Sequence, residues 1–439
     1  MKIIWLCILL ACAKSCENDN DCTTNHYCYE GVCEHKGLFP LVGNEILGSC
    51  LILFASGLAN AGGIGGGPIM VIILITLFNF NAYESVPLSQ LIIFAGSLSA
   101  ILIKIFLRHP FKQRPLIDFD IALLLCCPLL MGTTIGVMVN LVIPQWLILV
   151  LLTVLLGYIS IDTSFTAVKI YKKESTTKTS VRLLCPDSDV LSSFSETELP
   201  PELKKIYNVE KKIMPPKSIA LIILLFIFVA IVSFIRGSKN FNSIVGISFC
   251  SGGYWSVTII AFIILLVISI YFGFFMIGKH IIKNKLGYDF DTMDLNWTIK
   301  MILIVCIAGF IAGLAAGIVG VGGGLVMNPV MLRLGLRPEV STATSSFMVL
   351  FTATISMLQY AVAGKLNFVY GLWALSFSLV GSILGVLVLK KLVEKYKRGS
   401  ILVLLLALIM GICAIIIPTY GIIQYMGKSG EDNFKSFCN

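Results

Sequence analysis

One apolar segment contains the stretch Gly313–Pro329, GLAAGIVGVGGGLVMNP, in which glycines interrupt a run long enough to enter a lipid bilayer. The stretch Gly57–Pro68, GLANAGGIGGGP, repeats the pattern. Three consecutive glycines in each, Gly65–Gly67 and Gly322–Gly324, allow the backbone to leave helical geometry. Backbone groups freed in hydrocarbon are costly unless they line a cavity or bind a ligand. The pair therefore predicts the discontinuous helices of a transporter's binding site; close helix packing through small residues is the alternative.

The composition predicts an all-α polytopic membrane protein whose surroundings are the lipid bilayer. Only 13% of the 439 residues are charged and 57% are hydrophobic, whereas soluble domains carry about 25% charged residues. The net charge of +9 comes from short Lys and Arg clusters between apolar segments. Such clusters set membrane topology, so we predict no nucleic-acid partner.

The amino-terminal sequence predicts a signal peptide followed by an extracellular segment. Residues 1–13, MKIIWLCILLACA, have the features of a cleavable signal peptide and are too short to span a bilayer. Residues 14–40 are predicted to form a small extracellular disulfide-bonded segment, with three pairings open. A zinc site that includes His26 and His35 is the alternative, which the oxidising compartment disfavours. The candidate disulfide cysteines are Cys16, Cys22, Cys28 and Cys33.

About 10–12 hydrophobic segments follow, and they divide the rest of the chain. Two of them, at 68–78 and 325–335, are too short to cross and are predicted to be half-helices. The predicted parts are a first transmembrane repeat at 41–168, a largely unstructured cytoplasmic loop at 169–217, an extra helix pair and loop at 218–298, a second transmembrane repeat at 299–418, and an extracellular or lumenal tail at 419–439.

The positions of the basic clusters test this topology. Clusters such as Arg108–Arg114, Lys279–Lys285 and Lys390–Arg398 should be cytoplasmic. With the amino terminus outside, this holds only if residues 43–78 enter the membrane and return as a broken hairpin. The same argument makes 301–335 a second broken hairpin.

An internal repeat relates the two halves. When the glycine triplets are aligned, Pro87-Leu88-Ser89 falls on Thr344-Ser345-Ser346, and the GxxxG pair at 132–136 falls near the pair at 381–385. The predicted topology makes the two halves inverted, which places a substrate site at their interface near mid-membrane. The GxxxG pairs are predicted to be helix-packing faces, with a pore role as the alternative.

These motifs resemble the TauE/SafE family of sulfite exporters. The similar features are Gly320–Gly324 followed by Pro329, then the small-hydroxyl stretch Ala343–Ser346, with a weaker first-half version that ends in Val86–Ser89. The resemblance covers roughly 43–168 and 301–418. It implies the movement of sulfite, organosulfonates or related small anions across a membrane. The signal peptide, the Cys-rich segment, the long loop and the extra helix pair depart from the compact bacterial pattern.

An anion in the membrane needs hydrogen-bond donors and positive potential, which glycine-rich breaks and half-helix amino ends supply. Nearby hydroxyl and amide side chains could complete the shell, or could simply join helices. Lys104 is predicted to extend to the cytoplasmic interface, and Asp162 to lie at the interface near Lys169. The candidate substrate-binding residues are Asn60, Gly65, Gly66, Gly67, Ser89, Gln90, Gly322, Gly323, Gly324, Asn328, Thr344, Ser345 and Ser346.

The sequence thus predicts a secondary transporter of small anions in the plasma membrane or a secretory-pathway membrane, which could form a homo-oligomer. All four histidines lie outside the predicted spans, so we predict no metal site, no cofactor and no catalytic residue. A receptor or scaffold whose Cys-rich segment binds a partner is the alternative. An intramembrane enzyme is the third and least favoured class.

Overall fold

A computed structural model shows an all-α polytopic membrane protein, as the composition predicts. It describes residues 26–29, 32–109, 112, 114–184, 200–241, 243–288, 290, 295–396, 400–427 and 438. The predicted signal peptide, Cys16 and Cys22 lie outside the described residues. The helices are α1 (Gly43–Ala61), α2 (Gly67–Thr76), α3 (Ala82–Lys104), α4 (Phe119–Asn140), α5 (Gln145–Leu184), α6 (Pro201–Glu210), α7 (Pro216–Arg236), α8 (Gly252–Lys285), α9 (Ile299–Val319), α10 (Gly324–Arg333), α11 (Pro338–Val362), α12 (Phe368–Tyr396) and α13 (Ser400–Gly427).

Within the described residues, nine helices are long and apolar enough to cross a membrane. The predicted half-helices are confirmed as α2 and α10, each of 10 residues. At 1.5 Å per residue such a helix extends about 15 Å, roughly half of the hydrocarbon core. Neither α2 nor α10 is therefore long enough to cross a membrane by itself.

Helix packing through small residues builds the scaffold around the breaks. A Cβ atom added to Gly132 would lie 2.1 Å from the carbonyl oxygen of Phe310 in α9. One added to Gly381 in α12 would lie 2.0 Å from the carbonyl oxygen of Leu53 in α1. Gly136 and Gly385 make equally close backbone contacts with the same two helices. The prediction that both GxxxG pairs are helix-packing faces is confirmed.

The prediction of a largely unstructured loop at 169–217 is wrong where the structure describes it. Helix α5 continues to Leu184, and α6 occupies Pro201–Glu210. Glu210 holds the end of α6 through an ion pair with Lys283 of α8 (2.5 Å) and a hydrogen bond from Tyr288 (2.6 Å). Docking to other elements thus orders a polar helix that composition alone assigns to a loop.

The Cys-rich segment contains a two-stranded antiparallel hairpin, β1 (His26–Tyr29) and β2 (Val32–His35). Its register places Cys28 opposite Cys33. The pairing of the four amino-terminal cysteines stays a prediction. A disulfide that the sequence analysis did not predict joins Cys250, in the loop between α7 and α8, to Cys438 in the tail.

Candidate functional site

The two glycine-rich breaks lie in direct contact. A Cβ atom added to Gly67, the first residue of α2, would lie 2.3 Å from the Cα of Val321. One added to Gly324, the first residue of α10, would lie 2.6 Å from the carbonyl oxygen of Gly63. These distances leave no room for a side chain, so the glycines allow the amino ends of the half-helices to meet.

The glycines also supply backbone conformations that other residues rarely adopt. Gly66 immediately precedes α2 with φ +82°, and Gly320 ends α9 with φ +74°. Both values lie in the left-handed region, where a Cβ atom is strained. Gly323 differs from them because its φ of −59° is ordinary for any residue.

Polar side chains satisfy the carbonyl groups at the carboxyl end of α1 and in the break that follows. Lys104 Nζ donates to the Asn60 carbonyl at 2.8 Å. Asn328 Nδ2 donates to the Gly62 carbonyl at 2.8 Å, and Ser345 Oγ donates to the Gly63 carbonyl at 2.9 Å. The last carbonyls of a helix have no intrahelical partner, so these bonds make the break tolerable inside a membrane.

The carboxyl end of α9 is satisfied in the same way by other helices. The bonds are Gln90 Nε2 to the Ala316 carbonyl (2.9 Å), Tyr360 OH to Gly317 (2.6 Å), Asn140 Nδ2 to Ile318 (2.6 Å) and Ser89 Oγ to Gly320 (3.0 Å). The sequence analysis missed Asn140 and Tyr360. Nothing in their local sequence distinguishes them from other polar residues of a span.

The amide groups of the breaks have fewer partners. Gly323 N donates to Thr352 Oγ1 at 3.4 Å. In the described part of the chain, the amides of Gly65, Gly66 and Gly322 donate no hydrogen bond. Positive helix-dipole ends and unused N–H groups therefore meet at one place, the chemistry that binds anions at helix amino ends.

Lys104 brings a basic side chain to the carboxyl end of α1, next to the first break. The prediction that it extends to the interface is wrong, because its side chain is buried, with 6% exposed. Its ammonium group donates to the Asn60 carbonyl at 2.8 Å and to Ser346 Oγ at 2.7 Å, and both partners are uncharged. A buried cation in a span is costly and marks a functional site by default. The sequence could have indicated this burial, because Arg108, four residues further on, was available as the basic residue at the interface.

Most of the predicted site residues gather at the breaks. Ser345, Ser346, Asn60 and Asn328 surround the end of α1, while Ser89 and Gln90 contact the end of α9. Thr344 faces elsewhere and accepts a hydrogen bond from the Asp118 amide at 3.0 Å. Asp118 lines a cavity of about 160 Å³ together with Arg114, Lys279 and Val340.

Asp162 lies away from the breaks. It forms an ion pair with Arg333 of α10, a partner that the sequence analysis did not predict, and its place at the interface near Lys169 stays a prediction. Among the described residues, no group of three or more His, Cys, Asp or Glu side chains could hold a metal ion. The unused N–H donors and the Lys104 amino group at the breaks are suited to binding a negatively charged group.

The chain is similar to several named proteins. At 28% identity it matches "Sulfite exporter TauE/SafE family protein 3" of Arabidopsis thaliana, over 90% of this chain and 82% of that protein. It matches "Sulfite exporter TauE/SafE family protein 1" of the same plant at 28%, over 86% and 83%. "Probable membrane transporter protein YunE" of Bacillus subtilis is 31% identical, over 20% of this chain and 32% of that protein.

No solved structure matches the chain significantly. The family model described as "Sulfite exporter TauE/SafE" matches residues 41–163 and 211–412, a range that includes both glycine-rich breaks, Lys104 and the helices that cap them. The chain belongs to the sulfite exporter TauE/SafE family of membrane proteins.

Proposed function

We propose that this protein is a secondary transporter of small oxyanions, with the anion bound where the two helix breaks meet. The observation that carries the proposal is the buried Lys104 side chain, whose amino group lies at the carboxyl end of α1, next to the first of two breaks that are in direct contact. Its neighbours are neutral acceptors, Asn60 O and Ser346 Oγ. An arriving anion would neutralise a charge that burial otherwise makes costly.

The capped carbonyl groups support an anion rather than a cation as the substrate. A cation site built on broken helices uses the unwound carbonyls and helix carboxyl ends as ligands. Here the carbonyls of Gly62, Gly63 and Gly320 already accept bonds from side chains. Among the described residues, the amides of Gly65, Gly66 and Gly322 donate no hydrogen bond, and such amides bind anions.

The contacts between the halves support an inverted repeat. Ser89 of α3 caps the Gly320 carbonyl at the second break, and Ser345 of α11 caps the Gly63 carbonyl at the first. Each long helix that follows a break therefore stabilises the other half's break. A site shared in this way can be exposed to either side when the halves move relative to one another.

The distribution of cysteines and charges supports the proposed orientation. The Cys250–Cys438 disulfide belongs in an oxidising compartment, so the α7–α8 loop and the tail are assigned to the extracellular or lumenal side. The basic residues Arg114, Lys279 and Lys283 lie at the other end, which is assigned to the cytoplasm. With a cell interior negative by 100 mV, export of each negative charge is favoured by about 2.3 kcal/mol.

The names of the plant relatives favour sulfite as the substrate, and organosulfonates are chemically similar anions. The test is flux in proteoliposomes containing the purified protein, with sulfite, sulfate, methanesulfonate and neutral methanesulfonamide. We expect flux of one or more of the anions, and none of the amide. A variant that lacks residues 18–35 should keep this flux, since the Cys-rich segment lies outside the transport site.

Two outcomes would contradict the proposal. Absence of flux for every anion would remove the transport function. Anion flux that Lys104→Met leaves unchanged would keep the transporter but would move its site away from the breaks.

A further inference from the structure

A second cavity lies at the end of the bundle that holds the disulfide. It measures about 480 Å³ and is lined by residues of α4, α7, α8 and α11, together with Phe249, the neighbour of Cys250. None of its lining residues belongs to the breaks. Ligand pockets for organic molecules measure about 300–1,000 Å³, so this cavity is large enough for such a ligand.

Arg236, the last residue of α7, supplies a buried charge to this cavity. Its side chain is 7% exposed, one guanidinium nitrogen lies 3.3 Å from Met138 Sδ, and the guanidinium carbon lies 5.2 Å from the centre of the Tyr254 ring. Its Nε–H group has no hydrogen-bond partner among the residues that the structure describes. A buried donor left unpaired is costly, which indicates that a group outside the described residues satisfies it.

Gln359 of α11 presents an unused acceptor to the same cavity. Its amide nitrogen donates to Thr134 Oγ1 at 3.0 Å and to Ser233 Oγ at 3.3 Å. These bonds fix the orientation of the amide. The side chain is 4% exposed, and its oxygen has no partner in the described part of the chain. The cavity therefore holds one unsatisfied donor and one unsatisfied acceptor, both buried.

The charge around the cavity has one sign. Lys239 and Lys365 line it with Arg236, and none of the described residues that line it is acidic. Tyr254, Phe249 and Val362 give it apolar walls. A planar guanidinium binds a carboxylate or sulfonate group in bidentate fashion, and aromatic walls suit an apolar body.

We propose that this cavity is a binding site for an organic anion, in which Arg236 holds the acidic group and the aromatic walls hold the apolar body. The site is separate from the proposed transport site and does not depend on it. The same chemistry is offered by a soluble organic acid and by the head group of an anionic lipid.

The test is calorimetric titration of the purified full-length protein with benzenesulfonate, and with neutral benzenesulfonamide as the matched control. Titrations are made in the Lys104→Met background, so that binding at the breaks does not contribute. We expect benzenesulfonate to bind and benzenesulfonamide not to bind. Arg236→Gln should weaken benzenesulfonate binding at least tenfold, and Arg236→Lys should weaken it less.

Further variants keep the test decisive if Arg236→Gln fails to fold. A Lys239→Gln, Lys365→Gln double variant changes only exposed side chains and should bind about threefold more weakly. Nanodiscs of phosphatidylcholine and of phosphatidylglycerol separate the two sources. Equal benzenesulfonate affinity in both would assign the site to a soluble anion, whereas a more than tenfold loss in phosphatidylglycerol would assign it to a lipid head group; either result supports an anion site.

Three results would overturn the proposal. The first is equal binding of benzenesulfonate and benzenesulfonamide. The second is unchanged affinity in a folded Arg236→Gln protein. The third concerns Glu431 and Asp432 of the carboxyl-terminal segment. If Glu431→Gln with Asp432→Asn raised the affinity more than tenfold, those carboxylates would be the natural partners of Arg236.

Discussion

Lys104 Nζ donates a hydrogen bond to Ser346 Oγ at 2.7 Å, between residues 242 positions apart in the chain. The bond joins the last turn of α3 to α11, the long helices that follow the first and second breaks. Its donor is a buried cation and its acceptor is a neutral hydroxyl. The ammonium can therefore turn to an anion by exchanging a weak partner for a stronger one.

Replacing Lys104 with methionine should abolish anion transport while leaving the protein folded. Methionine fills a similar volume and removes the cost of burying a charge, which offsets the loss of the bond to the Asn60 carbonyl, so the melting temperature should stay close to that of wild type. We expect flux to fall at least tenfold, and Lys104→Arg to retain part of it. Lys300→Met, at an exposed position in the first turn of α9, is the matched control and should transport normally.

The glycines of the breaks should differ in their tolerance of a methyl group. At Gly67 a Cβ atom would lie 2.3 Å from Val321 Cα and 2.5 Å from the Gly320 carbonyl oxygen, both backbone atoms that cannot move alone. Overpacking typically costs about 1–3 kcal/mol. At Gly323 the nearest atom would be Thr352 Cγ2 at 3.2 Å, in an ordinary helical conformation.

Thermal unfolding monitored by size-exclusion chromatography can compare the two alanine variants. We expect Gly67→Ala to melt several degrees below wild type or to fail to fold, and Gly323→Ala to stay within about two degrees. Equal stability of the two variants would contradict the close contact between Gly67 and Val321.

The helix breaks and the half-helices could be predicted from the sequence because their causes are local. Gly322–Gly324 and the short apolar run after them encode a break and a half-helix whatever surrounds them. The same holds for Gly381 and Gly385, whose spacing alone makes one helix face flat enough for the backbone of α1.

The properties that the sequence did not reveal depend on contacts between distant elements. The position of Lys104 along α3 is compatible with a side chain at the membrane interface or in the protein interior. Its contacts with α1 and α11 place the side chain in the interior. The composition of residues 201–210 predicts a polar loop, and the contacts of Lys283 and Tyr288 with Glu210 stabilise a helix there instead. The Cys250–Cys438 bond spans 188 residues, which spacing cannot anticipate.

The stability of the protein should depend on pH through Asp118. Burial, and then the charge of Asp120, raises the pKa of the Asp118 carboxyl above its usual 3.8, although Arg114 and Lys279 oppose this. The folded protein therefore holds this proton more tightly than the unfolded chain. The group destabilises the fold when ionised, and this penalty is relieved as the pH falls through the raised pKa towards 3.8.

Asp118→Asn removes the ionisable group and keeps a side-chain oxygen that can accept from the amides of Asp120 and Ile121. We expect the variant to melt at or above the wild-type temperature at pH 7.5, with an advantage that shrinks at pH 4.5. Melting temperatures across this interval check it. If the difference in melting temperature between Asp118→Asn and wild type grew as the pH fell, the pKa of Asp118 could not be raised.

The orientation of the chain can be tested through Cys438, because its disulfide with Cys250 ties the tail to the α7–α8 loop. Cys250→Ser should free the Cys438 thiol on the extracellular or lumenal side. We expect a membrane-impermeant polyethylene glycol maleimide to shift the gel mobility of this variant in intact cells or right-side-out vesicles, beyond any shift of wild type. The double variant Cys250→Ser, Cys438→Ser is the control and should behave as wild type. Labelling that required permeabilisation would place the tail in the cytoplasm, and every basic cluster would then lie on the opposite side from the one that topology favours.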